Sequence, residues 1–459
     1  MQDAAGETLL RDEDGVLRPE FVRNVEAALE LGDAESVRAL TLPLHEADLA
    51  DLIQLLRPDQ REPLIEMLGR DFNAAALSEL DEGVRDQVLE AMPPEKVAEA
   101  LEQLDSDEAV YVIEDLDKED QSEILAKLPS FERAAIERSL EYPEDSAGRI
   151  MQTDFIAVPP FWSVGQTIDY MREAQDLPDR FYEIFVVDPA FHFIGSVALD
   201  RLLRCKRPVT IGSITDRDVR PILADDDQEE VARRFERYNL TSAPVVDKDG
   251  RLLGVITADD IVEVIQEEAS EDILRMGGVA GESVSDTVWQ TARHRFTWLL
   301  FNLGTALLAA FVISLFDASI KQMVALAILM PIVASMGGNA GGQTLTVTVR
   351  ALATKDLGAV NAYRVIGREA MAGLLNGFVF ALLLGTLVYF WFGNDELGLV
   401  IAAAIIINFL VAALAGILIP LTLNMLGIDP AVASGVFVTT ITDVVGFFAF
   451  LGLATVWLL

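Results

Sequence analysis

Hydrophobic and polar positions change their spacing three times along the chain. From Phe296 onward polar residues thin out and leave five apolar stretches, at about 296–316, 321–349, 363–392, 398–426 and 430–459. Each is long enough, at ~1.5 Å per residue, to cross a hydrocarbon core of about 30 Å, so five membrane-spanning helices are predicted. Residues 17–140 follow another rule: Leu44, Leu56, Leu68, Leu80, Met92, Leu104, Leu116, Leu128 and Leu140 recur every twelve residues. Many are followed by Asp or Pro and then acids, as in LDEGVRD, MPPEKVAE, LDSDEAV, LDKEDQS and LPSFERA. Asp caps a helix and Pro fits its first turn. Each unit therefore reads as a short helix plus a corner, and the stack as a superhelix built on one leucine seam. Between 147 and 268 a strand-like pattern occurs twice, EIFVVDPAFHFIGSVALDRLLR from Glu183 and SAPVVDKDGRLLGVITADDIVEVI from Ser242, offset by 59. Each copy reads strand, turn, strand, helix, with another strand and helix before it.

The predicted fold class is thus multidomain: an all-α superhelical N domain over 1–140, a duplicated α/β domain over 141–268, a connecting helix over 269–295, and an all-α five-helix transmembrane domain over 296–459. Charge sharpens this division. Only five Lys/Arg and seven Asp/Glu lie from Phe296 onward, which leaves 30 basic and 66 acidic residues, a net of −36, before it. Such acidity opposes nucleic-acid binding, because phosphates are repelled, and suits hard divalent cations, which take oxygen ligands. A single cysteine, Cys205, excludes an internal disulfide framework. Three scattered histidines, His45, His192 and His294, with no nucleophile–base motif, argue against an enzyme. MQDAAGETLL has no basic region and no apolar run, so no signal peptide is expected there.

Arg350, Lys355, Arg364 and Arg368 gather between the second and third spans, whereas the opposite loops hold Asp317, Lys321, Asp395 and Glu396. The excess of basic residues places that loop and the N-terminal region in the cytoplasm and the C-terminus outside. The second span carries MPIVASMGGNAGGQTLTVTVR, with Pro331, four glycines, Asn339 and Gln343. Small residues there serve helix packing, or they line a cavity at membrane depth. In the fifth span Gly435, Thr439 and Asp443 share one face at i, i+4 and i+8. Asp429, fourteen positions earlier, lies within about 40° of that face and roughly 21 Å away along the axis. A charge inside lipid is costly and therefore functional by default, and no Lys or Arg is at hand to pair with Asp443. An odd number of spans gives no two-fold repeat within a chain, so a symmetric path calls for a homodimer.

The duplicated segment resembles a tandem CBS-domain pair, in which a G-x-x-T-x-x-D element contacts the ribose and phosphates of adenine nucleotides. The second copy has Gly254, Thr257 and Asp260; the first has Gly195, Ala198 and Arg201, with its acid displaced to Asp200. Beyond it, IVEVIQEEASEDILRMGG continues as a helix on which Asp260, Glu263, Glu267 and Glu271 share a side and repel one another. The whole order of segments, with GRIM at 148–151, EASEDI at 268–273, GGNAGGQ at 337–343 and DPAVASGVFVTTITDVVGF at 429–447, resembles the MgtE family of bacterial magnesium channels. That resemblance implies a homodimer in the bacterial inner membrane, with a pore between the two membrane domains, lined by the second and fifth spans. The pore or metal residues it implies are Asp443, Thr439, Gly435, Asn339 and Asp429. It also implies closure by internal Mg2+ bound at Asp105, Asp107, Asp227, Glu229, Asp260, Glu263, Glu268, Glu271 and Asp272. ATP at the CBS pair would engage Asp200, Thr257 and Asp260. Asn239 and Tyr111 stand where the family often has Asp, and GGNAGGQ lacks one amide of the commoner GGNxGNQ.

Two other functions remain open on the residues alone: a proton- or Na+-coupled divalent-cation transporter, and a membrane-anchored nucleotide sensor that carries nothing.

Overall fold

The structure is a computed structural model that describes residues 10–12, 15–174, 177–178, 180–279, 288–358 and 360–458, leaving aside the side chain of Ala433. The reading of the first nine residues as lacking a leader lies outside the described residues. By its contacts the chain divides into two compact units, one ending at Glu268 and the other beginning at Ala269.

The first unit opens with helices α1 (Pro19–Leu31), α2 (Ala34–Thr41), α3 (Glu46–Leu55), α4 (Pro58–Leu68), α5 (Glu82–Ala91), α6 (Pro94–Leu101), α7 (Ser106–Ile113), α8 (Lys118–Leu125) and α9 (Ser130–Leu140). From α3 onward the helix starts keep the twelve-residue period, and Asp or Pro stands at the entrances of α5 to α9. Leu56, Leu68, Leu80 and Leu128 are buried, and the other members of the series pack against the same core. The unit due to begin at residue 70 departs from the pattern. It forms two 3-10 turns, Gly69–Asp71 and Ala74–Leu77. Gly69 turns the chain at φ +58, and the Asn73 side chain accepts from Ala75 N at 3.2 Å, so local bonds compete with a full helix. Leu77 and Leu80 stay in the core, and the seam is unbroken.

Each half of the α/β region makes a three-stranded sheet. Strand β1 (Ala157–Val158), helix α10 (Val164–Glu173), strands β2 (Glu183–Val187) and β3 (Phe193–Ala198), and helices α11 (Leu199–Arg204) and α12 (Ile211–Ile214) form the first half. Strand β4 (Ile222–Leu223), helix α13 (Gln228–Tyr238), strands β5 (Ser242–Val246) and β6 (Leu252–Thr257), and helix α14 (Ala258–Gly277) form the second. The antiparallel pairing Glu183 with Ala198 recurs as Ser242 with Thr257, and the bulge at Val186/Val187 recurs at Val245/Val246. Both features repeat at the offset of 59 read from the sequence.

In the second unit, α15 (Val288–Ser314) leads through the short α16 (Asp317–Gln322) to α17 (Val324–Ala353), α18 (Ala362–Phe392), α19 (Asp395–Met425) and α20 (Pro430–Trp457). Five of these are long and apolar enough to cross a membrane. The chain is a multi-pass membrane protein. Helix α19 is the most enclosed, burying Val400, Ile401, Ala404, Ile405, Asn408 and Phe409, and α15 the least. Leucines and phenylalanines exposed on α15 and α18 give the apolar surface that lipid requires. The helix expected over 269–295 is divided: α14 ends at Gly277, Gly278 adopts φ +71, and α15 starts eight residues before the expected Phe296. Two consecutive glycines end α14, because Gly278 takes the left-handed turn at little steric cost.

Candidate cation path and acidic clusters

The glycine-rich segment of α17 sorts its small residues onto two sides. A Cβ on Gly337 would collide with the Asn408 amide, and one on Gly341 would come within 2.6 Å of Val438. These two glycines let α19 and α20 approach. Gly338 and Gly342 meet nothing within 4 Å, and Ser335, Asn339, Gln343 and Thr346 are exposed. Packing and an open polar face, alternatives for this span in the sequence, therefore both exist on one helix. Asn408 is the buried polar link between the helices. Its Nδ2 donates to Val333 O at 2.9 Å, while its Oδ1 is sealed and without a partner.

On α20, Gly435 also opens onto free space. Thr439 is exposed and its hydroxyl donates to Gly435 O at 2.9 Å, which leaves its oxygen lone pairs facing outward. Asp443 is half-buried and has no cation or donor paired with it among the described residues. Asp429 differs from it. It caps α20 through Ala431 N, 2.8 Å from Oδ1, and its Oδ2 accepts from Arg275 Nη1 at 2.8 Å. Arg275 also pairs with Glu271 one turn earlier on α14. Asp272 lies close by; burial, then the Asp429 charge, raises its carboxyl above the ordinary range, against the pull of Arg275.

The first unit holds a different set of acids where α7 faces the start of α14. Burial, then the charge of Asp260, pushes Asp107 well up, and its Oδ1 is sealed without a partner. Asp260 is raised mainly by burial, although Thr257 donates to it from N at 3.0 Å and Oγ1 at 2.8 Å. Glu263 is exposed at the surface, yet partial desolvation and the charges of Glu79, Asp260 and Glu267 raise its carboxyl to about 7. Two further links on this interface supply their own donors. Tyr111 Oη donates to Glu267 Oε1 at 3.0 Å, while the Arg85 guanidinium sits 4.2 Å over the Tyr111 ring and bonds Asp115 Oδ2 at 2.6 Å. Arg149 of the GRIM segment lies 3.7 Å from Glu114, which burial raises to about 7.

The remaining acids are dispersed. Asp105 begins α7, its N–H donating to Glu108 Oε2 at 3.4 Å. Asp227 caps α13 through Glu229 N and Glu230 N at 3.0 and 3.3 Å. Glu268 accepts from Gln228 Nε2 at 2.9 Å. Among the described residues no group of three or more His, Cys, Asp or Glu forms a ready metal cage. In the CBS region a cavity is lined by Phe155, Arg180, Tyr182, Glu183, Ser242 and Thr257, among others. Asp200 and Asp260 do not line it, and Asp260 is turned to Thr257 and Asp107 instead. The glycine of the second motif has a packing role: a Cβ on Gly254 would come within 2.6 Å of Gln152 O. The Arg275–Asp429 pair escaped sequence reasoning because its members are 154 residues apart. The caps were within reach, since Asp105 and Asp227 each stand directly before a helix.

These features define a multi-pass membrane protein that joins a helical solenoid and a CBS pair to a bundle with a polar strip. Comparison with known proteins makes the assignment narrower. Residues 330–453 match the MgtE family, described as divalent cation transporter, and 44–145 match the MgtE intracellular N domain. Residues 147–207 and 211–267 match the CBS domain. The magnesium transporter MgtE of Enterococcus faecalis is 35% identical over 323 residues, 70% of this chain and 71% of that protein. The magnesium transporter MgtE of Thermus thermophilus is 34% identical over 328 residues, 70% and 72%. A solved cytosolic domain of the Mg2+ channel MgtE in complex with ATP is 30% identical, with a TM-score of 0.48, covering 53% of this chain and 99% of that one. The chain belongs to the MgtE family.

Proposed function

We propose that this chain conducts Mg2+ passively into the cell across the inner membrane, along a path lined by the open faces of α17 and α20. The observation that carries this reading is Asp443: a half-buried carboxylate in an apolar helix, with no cation paired to it among the described residues, beside Gly435 and an outward-facing Thr439 oxygen. Mg2+ dehydrates reluctantly and binds through one or two carboxylates while keeping waters. A second copy of the chain would cover the exposed polar strip and bring a second Asp443, so the conducting form is a homodimer. The basic loop between α17 and α18 supports a cytoplasmic N-terminus and an outer C-terminus.

Internal Mg2+ regulates the path through the Asp107–Asp260 pair, with Glu263 alongside. Unneutralised, these acids repel across α7 and α14; bridged, they hold the solenoid against the start of the connecting helix. Glu271 and Asp272 at the far end of that helix, and Asp227, Glu229 and Glu268 around α13, are weaker candidates for cation contact. Asp105 helps through its charge while serving α7. An adenine nucleotide is a second ligand, favoured by the aromatic and hydroxyl lining of the CBS cavity, with Thr257 as its contact.

Protein in liposomes tests this directly. Mg2+ flux without a proton or Na+ gradient, abolished by Asp443→Ala, is the expected result. Strict dependence on either gradient would make the protein a coupled transporter, and flux indifferent to Asp443 would sink the proposed path.

A further inference from the structure

We propose that Arg275 is a tethered cation that competes with the permeating ion for Asp429 and so latches the connecting helix over the end of the polar strip. This inference rests on the conduction path above and extends it to a residue outside that path. Arg275 lies in the last turn of α14, where the partial negative charge of the helix end favours a cation. Its guanidinium reaches Glu271 on its own helix and Asp429 on α20. Asp429 is thereby satisfied on both oxygens, by Ala431 N and by Arg275 Nη1, each at 2.8 Å. It lies on the Asp443 side of α20, so a cation moving along that side meets a site already held by the protein's own charge.

Neighbouring residues fix the latch in place. Met276 packs with Leu345, Val349, Ala431 and Val438 from α17 and α20. A side chain on Gly278 would collide with the indole of Trp298 on α15. Three anchors within four residues therefore attach the end of α14 to three membrane helices. The charge balance makes the latch displaceable. Asp272 and Asp429 both lie beside Arg275, so an incoming divalent cation meets two carboxylates next to one guanidinium and can replace it. Neutralising Arg275 leaves these carboxylates to repel each other and frees the helix end.

The test compares full-length wild type, Arg275→Gln, Arg275→Lys, Asp429→Asn and Arg275→Gln/Asp429→Asn in phosphatidylethanolamine–phosphatidylglycerol liposomes. With only trace Mg2+ on the side of the soluble unit, so that the guanidinium is not displaced, Arg275→Gln should pass about three-fold more Mg2+ than wild type or more, as expected for loss of a close coupled pair. Arg275→Lys should keep the flux low, and Arg275→Gln should add nothing once Asp429 is Asn. Equal flux in Arg275→Gln and wild type, or the same rise in both Asp429 backgrounds, overturns the latch. Hydrogen exchange of residues 271–279 reads the latch without transport, and should quicken about ten-fold in Arg275→Gln. Unchanged exchange also overturns it. If wild type carries no Mg2+, the conduction reading fails, and the exchange result still decides the latch.

Discussion

Asp107–Asp260 and Arg275–Asp429 solve the same electrostatic problem in opposite ways. In the first unit two carboxyls face each other with no cation between them among the described residues, and both are pushed up by burial. In the second a carboxylate at the foot of the fifth span is given an arginine at 2.8 Å. The difference teaches where an external cation has work to do. An acid with a tethered partner needs no ion and is opened only by competition, whereas an acid facing another acid is closed only by adding one. Asp443 belongs with the acids that the protein leaves uncompensated.

The largest effect should come from removing the acid that has no partner among the described residues. A charge-assisted interaction is worth about 1.5–3 kcal/mol, so Asp443→Asn should reduce Mg2+ flux roughly 10- to 150-fold. Flux assays in liposomes check this, and an unaltered Tm shows that the bundle has survived. The two glycine sides of α17 offer the next contrast. Gly341→Leu drives a side chain into Val438 and should destabilise the bundle by about 1–3 kcal/mol or more. Gly342→Ala faces open space, so its Tm should match wild type while flux changes.

A pH titration sharpens the contrast between the two acid sets. Raised carboxyls bind more protons folded than unfolded, so their interface is most stable at low pH and weakens as pH rises. For Glu263 the window runs from its ordinary 4.5 to about 7. Without Mg2+, protease cleavage between solenoid and CBS region should therefore increase across that range. Millimolar Mg2+, or Asp107→Asn, should suppress the increase. The smallest effect belongs to Tyr111→Phe. It removes one partly exposed hydrogen bond, about 0.5–1 kcal/mol, and should raise the Mg2+ needed for closure by roughly two- to five-fold.

Much of the architecture was legible because it is periodic. Twelve-residue leucines placed the solenoid helices, and the offset of 59 carried over to strand pairing and bulge alike. The 3-10 turns after Leu68 were hidden, since Gly69 and Asn73 decide them through local geometry rather than through the hydrophobic pattern. The strip on the fifth span was readable because one helix carries it. The division of the α17 glycines was not, because a glycine's purpose depends on which neighbour faces it: Asn408 and Val438 lie far away in sequence. Tyr111 illustrates the same limit. As a residue type it removes an acid, yet in place it donates to Glu267, 156 residues away.

In the proposed regulation, that Tyr111–Glu267 bond would also set the shape of the response to Mg2+. A solenoid held only by bridging ions would drift off when they leave, and recapture would depend on a diffuse search. A bond that uses no ion keeps α7 beside α14, so its acids stay at high effective concentration toward one another. The proposed closure would then be a short local rearrangement rather than the docking of a detached domain. If the proposed Mg2+ regulation holds, the response should need fewer ions and lower Mg2+, with a dose–response curve shallower than a fully ion-bridged interface would give.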